Sequence, residues 1–161
     1  MSWQGQMSTI LRYLIDDVDS TSYKFSDERI ETTLLVAAQL VTLEVDLTNT
    51  YTINVETCAL SPDPTETDTR DNAFINLVCL KGAVVIVGSQ IRSESSNSIS
   101  IKDGPSAIDL RGVTGTLTVL YKDLSEKYEK LLLDYRTGNS VAGKSILGPY
   151  SPGSDFAGRT S

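Results

Sequence analysis

Histidine is absent from this 161-residue chain. Histidine is the side chain used most often as a general base near neutral pH, and it is a very common metal ligand. No Gly-x-Ser-x-Gly motif occurs either, so the usual arrangement of an activated serine is missing. A serine–lysine pair using Lys102 or Lys144 would need a desolvated lysine, and nothing in the sequence places either residue in such a pocket. The sequence therefore predicts a protein that is not an enzyme and that uses no cofactor and no metal.

Cysteine is scarce as well, because Cys58 and Cys79 are the only two. They lack the spacing of a metal site and have no second pair to complete one. Cys79 lies in an apolar run, which predicts a buried free thiol that behaves as a small hydrophobic side chain. A disulfide between Cys58 and Cys79 remains open at this point.

Long apolar runs are also missing from the sequence. Residues 73–88 form the longest one, but Asn76 and Lys81 interrupt it, and it is shorter than the ~20 residues of a membrane-spanning helix. The first residues lack the charged and apolar regions of a signal peptide. We therefore expect a soluble protein.

Positive charge is in short supply, since 14 basic residues face 21 acidic ones and the formal net charge is -7. Proteins that wrap nucleic acid need clustered lysine and arginine, so this balance argues against that class. An acidic surface is still compatible with a channel through which DNA passes without being bound.

A P-loop string is present in a place where it cannot work. Residues 138–145 read GNSVAGKS and satisfy the pattern G-x-x-x-x-G-K-[ST]. A working P-loop follows a buried strand and opens a helix, whose N-terminus then holds phosphate. Here an amphipathic helix precedes the string, and Pro149 and Pro152 follow it closely. We interpret residues 138–161 as a flexible or extended C-terminal tail.

Hydrophobic periodicity predicts about four helices. The first has Ser8 as a candidate N-cap, carries one apolar stripe, and stops before Asp19. Asp16, Asp17 and Asp19 at its end are interpreted as a solvated helix end and not as a calcium loop. The second begins at Ser26, and it is apolar nearly all round, which is typical of a helix buried between neighbours in its own subunit or in another.

The third helix is predicted for residues 71–92, where Gly82 and Gly88 would let a neighbouring helix approach closely. The fourth is predicted for residues 116–137, with Gly138 as the stop. Its apolar side chains recur in steps of four and three, which suggests packing between subunits through Leu117, Tyr121, Leu124 and Tyr128.

Two segments have the pattern of β-structure. Residues 50–60 alternate as a half-buried strand, and a polar loop with two prolines follows, so that residues 46–70 form a strand/loop insertion. Residues 97–111 read as a β-hairpin, because apolar residues alternate on both sides of the turn Asp103-Gly104-Pro105-Ser106. The predicted fold is mainly α: a helical domain over residues 1–137, with this hairpin between the last two long helices.

The order of these elements and several local strings resemble the head–tail connector proteins of tailed bacteriophages, also called adaptor or head-completion proteins. The strings are LRxLIDD at 11–17, FSDExI at 25–30, SPDPT at 61–65, FIxL at 74–77, ISIKDG at 99–104 and IDxR at 108–111. The resemblance extends over nearly the whole chain up to about Tyr135.

This resemblance implies a virion protein at the head–tail interface, assembled in the host cytoplasm. Its copies would form a ring, usually of twelve, under the portal protein, extend the DNA channel and join a tail or neck protein. DNA would pass through the lumen without sequence-specific binding, and no membrane is involved. The tail would contact the portal through Ile146, Leu147, Pro149, Tyr150 and Phe156. Acidic residues of the last helix, or the hairpin tip formed by Lys102, Asp103 and Gly104, would line the lumen.

Two other functional classes stay open on the sequence alone. One is a P-loop-type nucleotide-binding protein that uses Lys144. The other is a small cellular adaptor bundle that binds one protein partner through the heptad face of its last helix.

Overall fold

The computed structural model describes the backbone of residues 2–100 and 106–139 and the side chains of residues 2–97 and 112–138. Four helices and one small hairpin follow one another along the chain. They are α1 (Trp3–Leu14), α2 (Asp27–Glu44), β1 (Thr52–Asn54), β2 (Ala59–Ser61), α3 (Asn72–Ser100) and α4 (Ser106–Asn139). The prediction of a mainly helical fold with about four helices is confirmed.

Helix α1 begins at Trp3, so the prediction that Ser8 caps it is wrong. The physical reason is that Trp3 and Met7 extend the buried stripe of this helix by two turns towards the N-terminus. The backbone N–H of Trp3 donates to the carboxylate of Asp63, 2.8 Å away, which is 60 residues distant in sequence. The helix ends before Asp19, as predicted, where Asp16 takes a left-handed conformation with φ 57°.

Helix α2 begins as the sequence predicts. The Ser26 side chain accepts a hydrogen bond from the backbone N–H of Arg29 at 3.3 Å, which is an N-cap. The helix buries one face completely and leaves two apolar side chains, Val36 and Leu43, 37% and 80% exposed. The expectation that it is buried between neighbours is therefore met on one side only.

The strand predicted over residues 50–60 is an antiparallel hairpin. Strand β1 pairs with β2 so that Ile53 lies opposite Leu60. The reversal was missed because the alternation continues through it. The side chain of Asn54 accepts a hydrogen bond from the backbone N–H of Thr57 at 3.1 Å, and Cys58 has a φ of 52°. These are the local contacts that fold a turn.

The β-hairpin predicted for residues 97–111 is wrong in every part that the structure describes. Helix α3 continues to Ser100, and α4 begins at Ser106, ten residues before the predicted start at Thr116. A lone hairpin would have no third strand to bury its apolar face. A helix instead satisfies its backbone hydrogen bonds within itself. The proposed tip residues, Lys102, Asp103 and Gly104, lie outside the described residues.

The core lies where α1, α2 and α3 meet, and α4 packs lengthwise along α3. A Cβ at Gly82 would lie 3.4 Å from Leu11 Cδ2. Gly88 allows a close approach of α4, since a Cβ there would lie 3.2 Å from Tyr121 Cε2. The predicted close approach is confirmed at Gly88, whereas a Cβ at Gly82 would make an ordinary van der Waals contact.

Helix α3 is also long and apolar enough, over Asn72–Asn97, to cross a membrane. Half of the most apolar part of this span is buried within the fold, against α1, α2 and α4. The core helix of a soluble protein meets the same criteria of length and composition. The expectation of a soluble protein stays a prediction.

A groove between helices α2 and α4

Helices α2 and α4 both pack on α3 but form no extensive interface with each other. Between them lies an open groove with a volume of about 300 Å³. Helix α3 supplies its floor through Lys81 and Val84, and the end of α2 contributes Glu44. The α4 wall consists of Tyr121, Ser125, Tyr128, Glu129 and Leu132. We call this surface the groove.

Glu44 joins three helices at one end of the groove. Its carboxylate accepts a hydrogen bond from Lys81 Nζ at 2.5 Å and another from the Tyr128 hydroxyl. The Arg136 guanidinium donates to the backbone carbonyl oxygen of the same residue. One turn away, the Tyr135 hydroxyl accepts from the backbone N–H of Thr48 at 2.9 Å. These contacts attach the C-terminal half of α4 to the end of α2.

The contacts of this cluster favour the charged form of Glu44 and the neutral form of Tyr128. Burial by itself would raise the pKa of Glu44, but the hydrogen bonds from Lys81 and Tyr128 and the nearby positive charges outweigh it and lower the pKa. Burial and the adjacent carboxylate raise the pKa of the Tyr128 hydroxyl further from neutrality. An acid or base that works near neutral pH needs a pKa close to 7. The arrangement of Glu44 and Tyr128 is thus suited to holding helices together.

A second polar cluster connects α1 with α2. Arg12 is 5% exposed, and its guanidinium contacts Asp17 Oδ2 at 2.5 Å and Asp27 Oδ1 at 2.7 Å. It also donates to the carbonyl oxygen of Phe25 at 3.0 Å and lies over the Tyr23 ring. A buried charge is tolerated when it is paired and hydrogen-bonded in this way.

This cluster corrects the interpretation of the acidic helix end. Asp16 and Asp19 are exposed as predicted, but Asp17 is 3% exposed and pairs with Arg12. Its role could not be read from sequence, because the helix end and the start of α2 only meet in the fold. In the part of the chain that the structure describes, no group of three metal-ligating side chains comes together.

Two of the four residues predicted to pack between subunits are buried within their own chain. Leu124 is 2% and Tyr128 5% exposed, because the heptad face of α4 lies on α3. Leu117 is half-buried against the same core, whereas Tyr121 is 37% exposed at the groove. The heptad pattern correctly located a helix–helix interface, but it could not identify which helix packs against α4.

The helices α3 and α4 continue well past the core as a two-helix projection. Among the described side chains of residues 88–97 and 112–123, not one is buried. Val113 and Val119 are 49% and 68% exposed. At 1.5 Å per residue, the stretch from Val87, the last buried residue of α3, to Ser100 is about 20 Å long. We call this two-helix projection the arm. Sequence reasoning missed it because it assigned a hairpin there.

Both cysteines are free, which answers the question left open by the sequence. Cys79 is buried as predicted, and burial raises its thiol pKa to about 12. Cys58 lies at the hairpin turn, where burial and the neighbouring Glu31 raise its thiol pKa.

The P-loop string follows a helix, as the sequence suggested, since Gly138 and Asn139 are the last residues of α4. Residues 140–161 lie outside the described residues. They include the predicted portal contacts Ile146, Leu147, Pro149, Tyr150 and Phe156, and also Lys144.

No protein family model matches this chain, and comparisons with curated proteins and with solved structures give no match.

Proposed function

We propose that this chain is a structural protein of a tailed-bacteriophage virion, a head–tail connector without enzymatic activity. Its copies form a ring under the portal protein, extend the DNA channel and join the tail or neck. The observation that carries this proposal is the arm, which has no buried side chain among its described residues.

Among its described residues the arm has only partly buried apolar side chains, such as Ile91, Leu117 and Leu120, which pack against the core. Helices in water are marginal, and in proteins most of their stability comes from packing an apolar face. Val113 and Val119 remain exposed in the single chain. Contacts with neighbouring copies would remove them from water, and a ring offers every copy such a neighbour.

Helix α2 presents a second apolar surface. Val36 and Leu43 lie seven residues apart, which places them on the same side of the helix, with Leu40 between them. Exposures of 37% and 80% leave a stripe that no other part of the described residues, 2–100 and 106–139, covers. Contacts with neighbouring copies would remove these side chains from water as well.

The distribution of charge suits a conduit for DNA. Residues 1–71 contain 13 acidic and four basic side chains, whereas residues 72–161 contain eight and ten. On α4 the acids Asp123 and Glu126 alternate with lysines, and Asp123 pairs with Lys127 at 2.8 Å. An acidic wall repels the phosphate backbone and leaves DNA free to slide, whereas a basic wall would hold it. The excess of acids lies in residues 1–71, so we propose that this part contributes to the lumen along with Asp103, which the sequence analysis also assigned to it.

Imaging by electron microscopy tests the proposal. The purified chain is examined over a concentration series, alone and mixed with the portal protein encoded by the same genome. We expect rings docked coaxially on the portal. A chain that stays monomeric under both conditions would contradict the proposal and favour the small adaptor bundle.

A binding measurement tests the nucleotide alternative separately. ATP with Mg²⁺ is titrated against the wild-type chain and against Lys144→Ala. We expect no saturable binding to either chain. Tight binding that the substitution abolishes would instead identify a nucleotide-binding protein.

A further inference from the structure

We propose that residues 140–161 cover the outer face of α2 in the free chain, and that neighbouring copies displace them when a ring forms. This face, which we call the outer stripe, consists of Val36, Leu40 and Leu43. The covering contact lies within one chain and does not depend on a ring. Only the displacement rests on the proposed function.

The outer stripe lies opposite the buried face of α2. Its three residues follow one another in steps of four and three, which places them on one side of the helix. Leu34 and Val41, on the other side, are 1% and 0% exposed. Leu43 is 80% exposed, the highest value among the large apolar side chains that the structure describes. Fully burying a leucine contributes about 1.5–3 kcal/mol, so covering Leu43 is favourable.

Residues 140–161 begin beside this stripe. The guanidinium of Arg136 donates to the backbone carbonyl oxygen of Glu44, the residue that follows Leu43. Helix α4 ends three residues later at Asn139, about 5 Å further along its axis. The first residue beyond α4 therefore lies close to the C-terminal end of α2.

The segment is long enough to follow the stripe. An extended chain spans about 3.3 Å per residue, so Ile146, seven residues beyond Asn139, reaches up to about 23 Å from the end of α4. From Leu43 back to Val36 the helix rises only about 11 Å. Attachment to the same chain also gives the segment an effective concentration on the order of 1 mM at its own α2, so a weak contact is enough. A segment from another copy has no such advantage.

The composition of the segment matches both the apolar character and the charge of α2. Its apolar side chains include Ile146, Leu147 and Tyr150, which are close enough in sequence to contact one stripe. The segment contains two basic residues and one acidic residue, a net charge of +1. Residues 27–46 contain five acidic residues and one basic residue, a net charge of -4. Burial of apolar side chains and attraction between opposite charges both favour the contact.

A stripe covered in this way is closed to neighbouring copies. In the proposed ring those copies bury Val36 and Leu43, so they compete with residues 140–161 for the same side chains. Because only the uncovered fraction of the chain can assemble, the covering contact raises the concentration at which rings form. Displacement also frees Ile146 and Leu147 for the portal contact that the resemblance implies.

Crosslinking within one chain tests the covering contact. The full-length chain carries Cys58→Ser and keeps the buried Cys79. It gains Gln39→Cys, at an exposed position next to Leu40, and Ser151→Cys in the segment. A short bismaleimide is added to the monomeric chain, and mass spectrometry of a proteolytic digest identifies the linked peptides. We expect a link between the two introduced cysteines of the same chain.

Two matched pairs of substitutions separate a specific contact from proximity alone. Ile146→Asp with Leu147→Asp replaces two apolar side chains, whereas Gly153→Asp with Ser154→Asp adds the same charge at positions that carry none. The first pair should slow the crosslinking at least about tenfold, which corresponds to ~1.4 kcal/mol, and the second should have a much smaller effect. Circular dichroism must show the same helix content in both variants.

Two kinds of result would overturn the covering contact. Absence of the link, or equal crosslinking rates with both pairs of substitutions, would reject binding to the stripe. A link that joins isotope-labelled with unlabelled chains in a mixed sample would show that the segment covers α2 of another copy. Either result leaves the proposed ring standing, because the measurement is made on the monomeric chain.

Assembly without the portal protein, followed by light scattering, tests the displacement. Ile146→Asp with Leu147→Asp should lower the concentration needed for half-assembly at least about tenfold, whereas Gly153→Asp with Ser154→Asp should leave it nearly unchanged. Equal effects of the two pairs, or no assembly of any of these chains, would reject the displacement. A chain that forms the intramolecular link but no ring, even with the portal, would keep the covering contact and reject the proposed function.

Discussion

Helix α4 belongs to the core of its own subunit, and replacing Leu124 by alanine measures this directly. The side chain is 2% exposed, so nearly all of its apolar surface is removed from water by α3 and its neighbours. Truncating a buried leucine removes the transfer free energy of three carbons and leaves a cavity, which together cost about 2–5 kcal/mol. We expect the free energy of unfolding to fall by that amount.

Leu133 is the matched control in the same helix. It is 62% exposed, so little more than a third of its side chain is buried. Since full burial of a leucine contributes about 1.5–3 kcal/mol, Leu133→Ala should cost only about 0.5–1 kcal/mol. Both substitutions exchange the same residue types, so any effect on helix propensity is shared. The difference between them isolates packing on α3.

Urea denaturation followed by circular dichroism, at two protein concentrations tenfold apart, is the assay. The cost of Leu124→Ala should be independent of concentration, because the lost contacts lie within one chain. If the variant is too unstable to measure, Leu124→Met, which should cost less than about 1.5 kcal/mol, takes its place. Equal costs at Leu124 and Leu133, or a cost of Leu124→Ala that grows at the higher concentration, would show that α4 packs mainly on another copy and would refute the assignment.

Three further predictions follow from particular contacts. The lowered pKa of Glu44 means that its contribution to stability is present above its ordinary pKa near 4.5 and is lost as pH falls through the lower folded pKa. Below about pH 5, the free energy of unfolding should therefore fall less steeply with decreasing pH in Glu44→Gln than in the wild type. Parallel curves for the two chains would contradict this. In thermal unfolding, Gly5→Ala should stabilise the chain by up to about 1 kcal/mol, because a Cβ at this helical position would have nothing within 4 Å. Gly82→Val should destabilise the chain by about 1–3 kcal/mol, because the larger side chain would press against Leu11. A maleimide reagent should modify Cys58 in the folded chain and Cys79 only after denaturation, as mass spectrometry would show; early modification of both thiols would contradict the buried position of Cys79.

The helices illustrate how far local sequence patterns reach. Ser26 was found as a cap because capping depends on neighbours within one turn, and the structure confirms it. The start of α1 was misplaced, because its first backbone N–H is satisfied by Asp63, 60 residues away. No local pattern contains that contact. The burial of Asp17 could not be predicted from a local pattern either. Its partner Arg12 lies near the same helix end, but the burial of the pair depends on α2.

In the region from residue 97 to residue 111, the local sequence pattern predicted the wrong secondary structure. Its alternation of apolar residues and its turn signal favour a hairpin, and the sequence offered no reason to prefer helix. In the fold, α3 and α4 already pack along their length, so continuing both helices gives their residues hydrogen bonds within each helix. Tertiary context outweighed propensity here, and as a result the arm was not foreseen.

The groove could not be predicted from the sequence for a related reason. Glu44, Lys81 and Tyr128 are separated by 37 and 47 residues, and each has the properties of an ordinary solvated side chain when considered alone. They meet because α2 and α4 both pack on α3 and contact each other at the C-terminal end of α2.

Composition and periodicity alone determined that the chain is mainly helical, that it lacks histidine chemistry, and where most helices lie, because these properties depend on residues within a few turns. Only the tertiary structure decided which helix faces meet, which acids are paired, and which apolar surfaces remain exposed. Those outcomes depend on distances between residues far apart in sequence, and such distances are set by how whole helices pack.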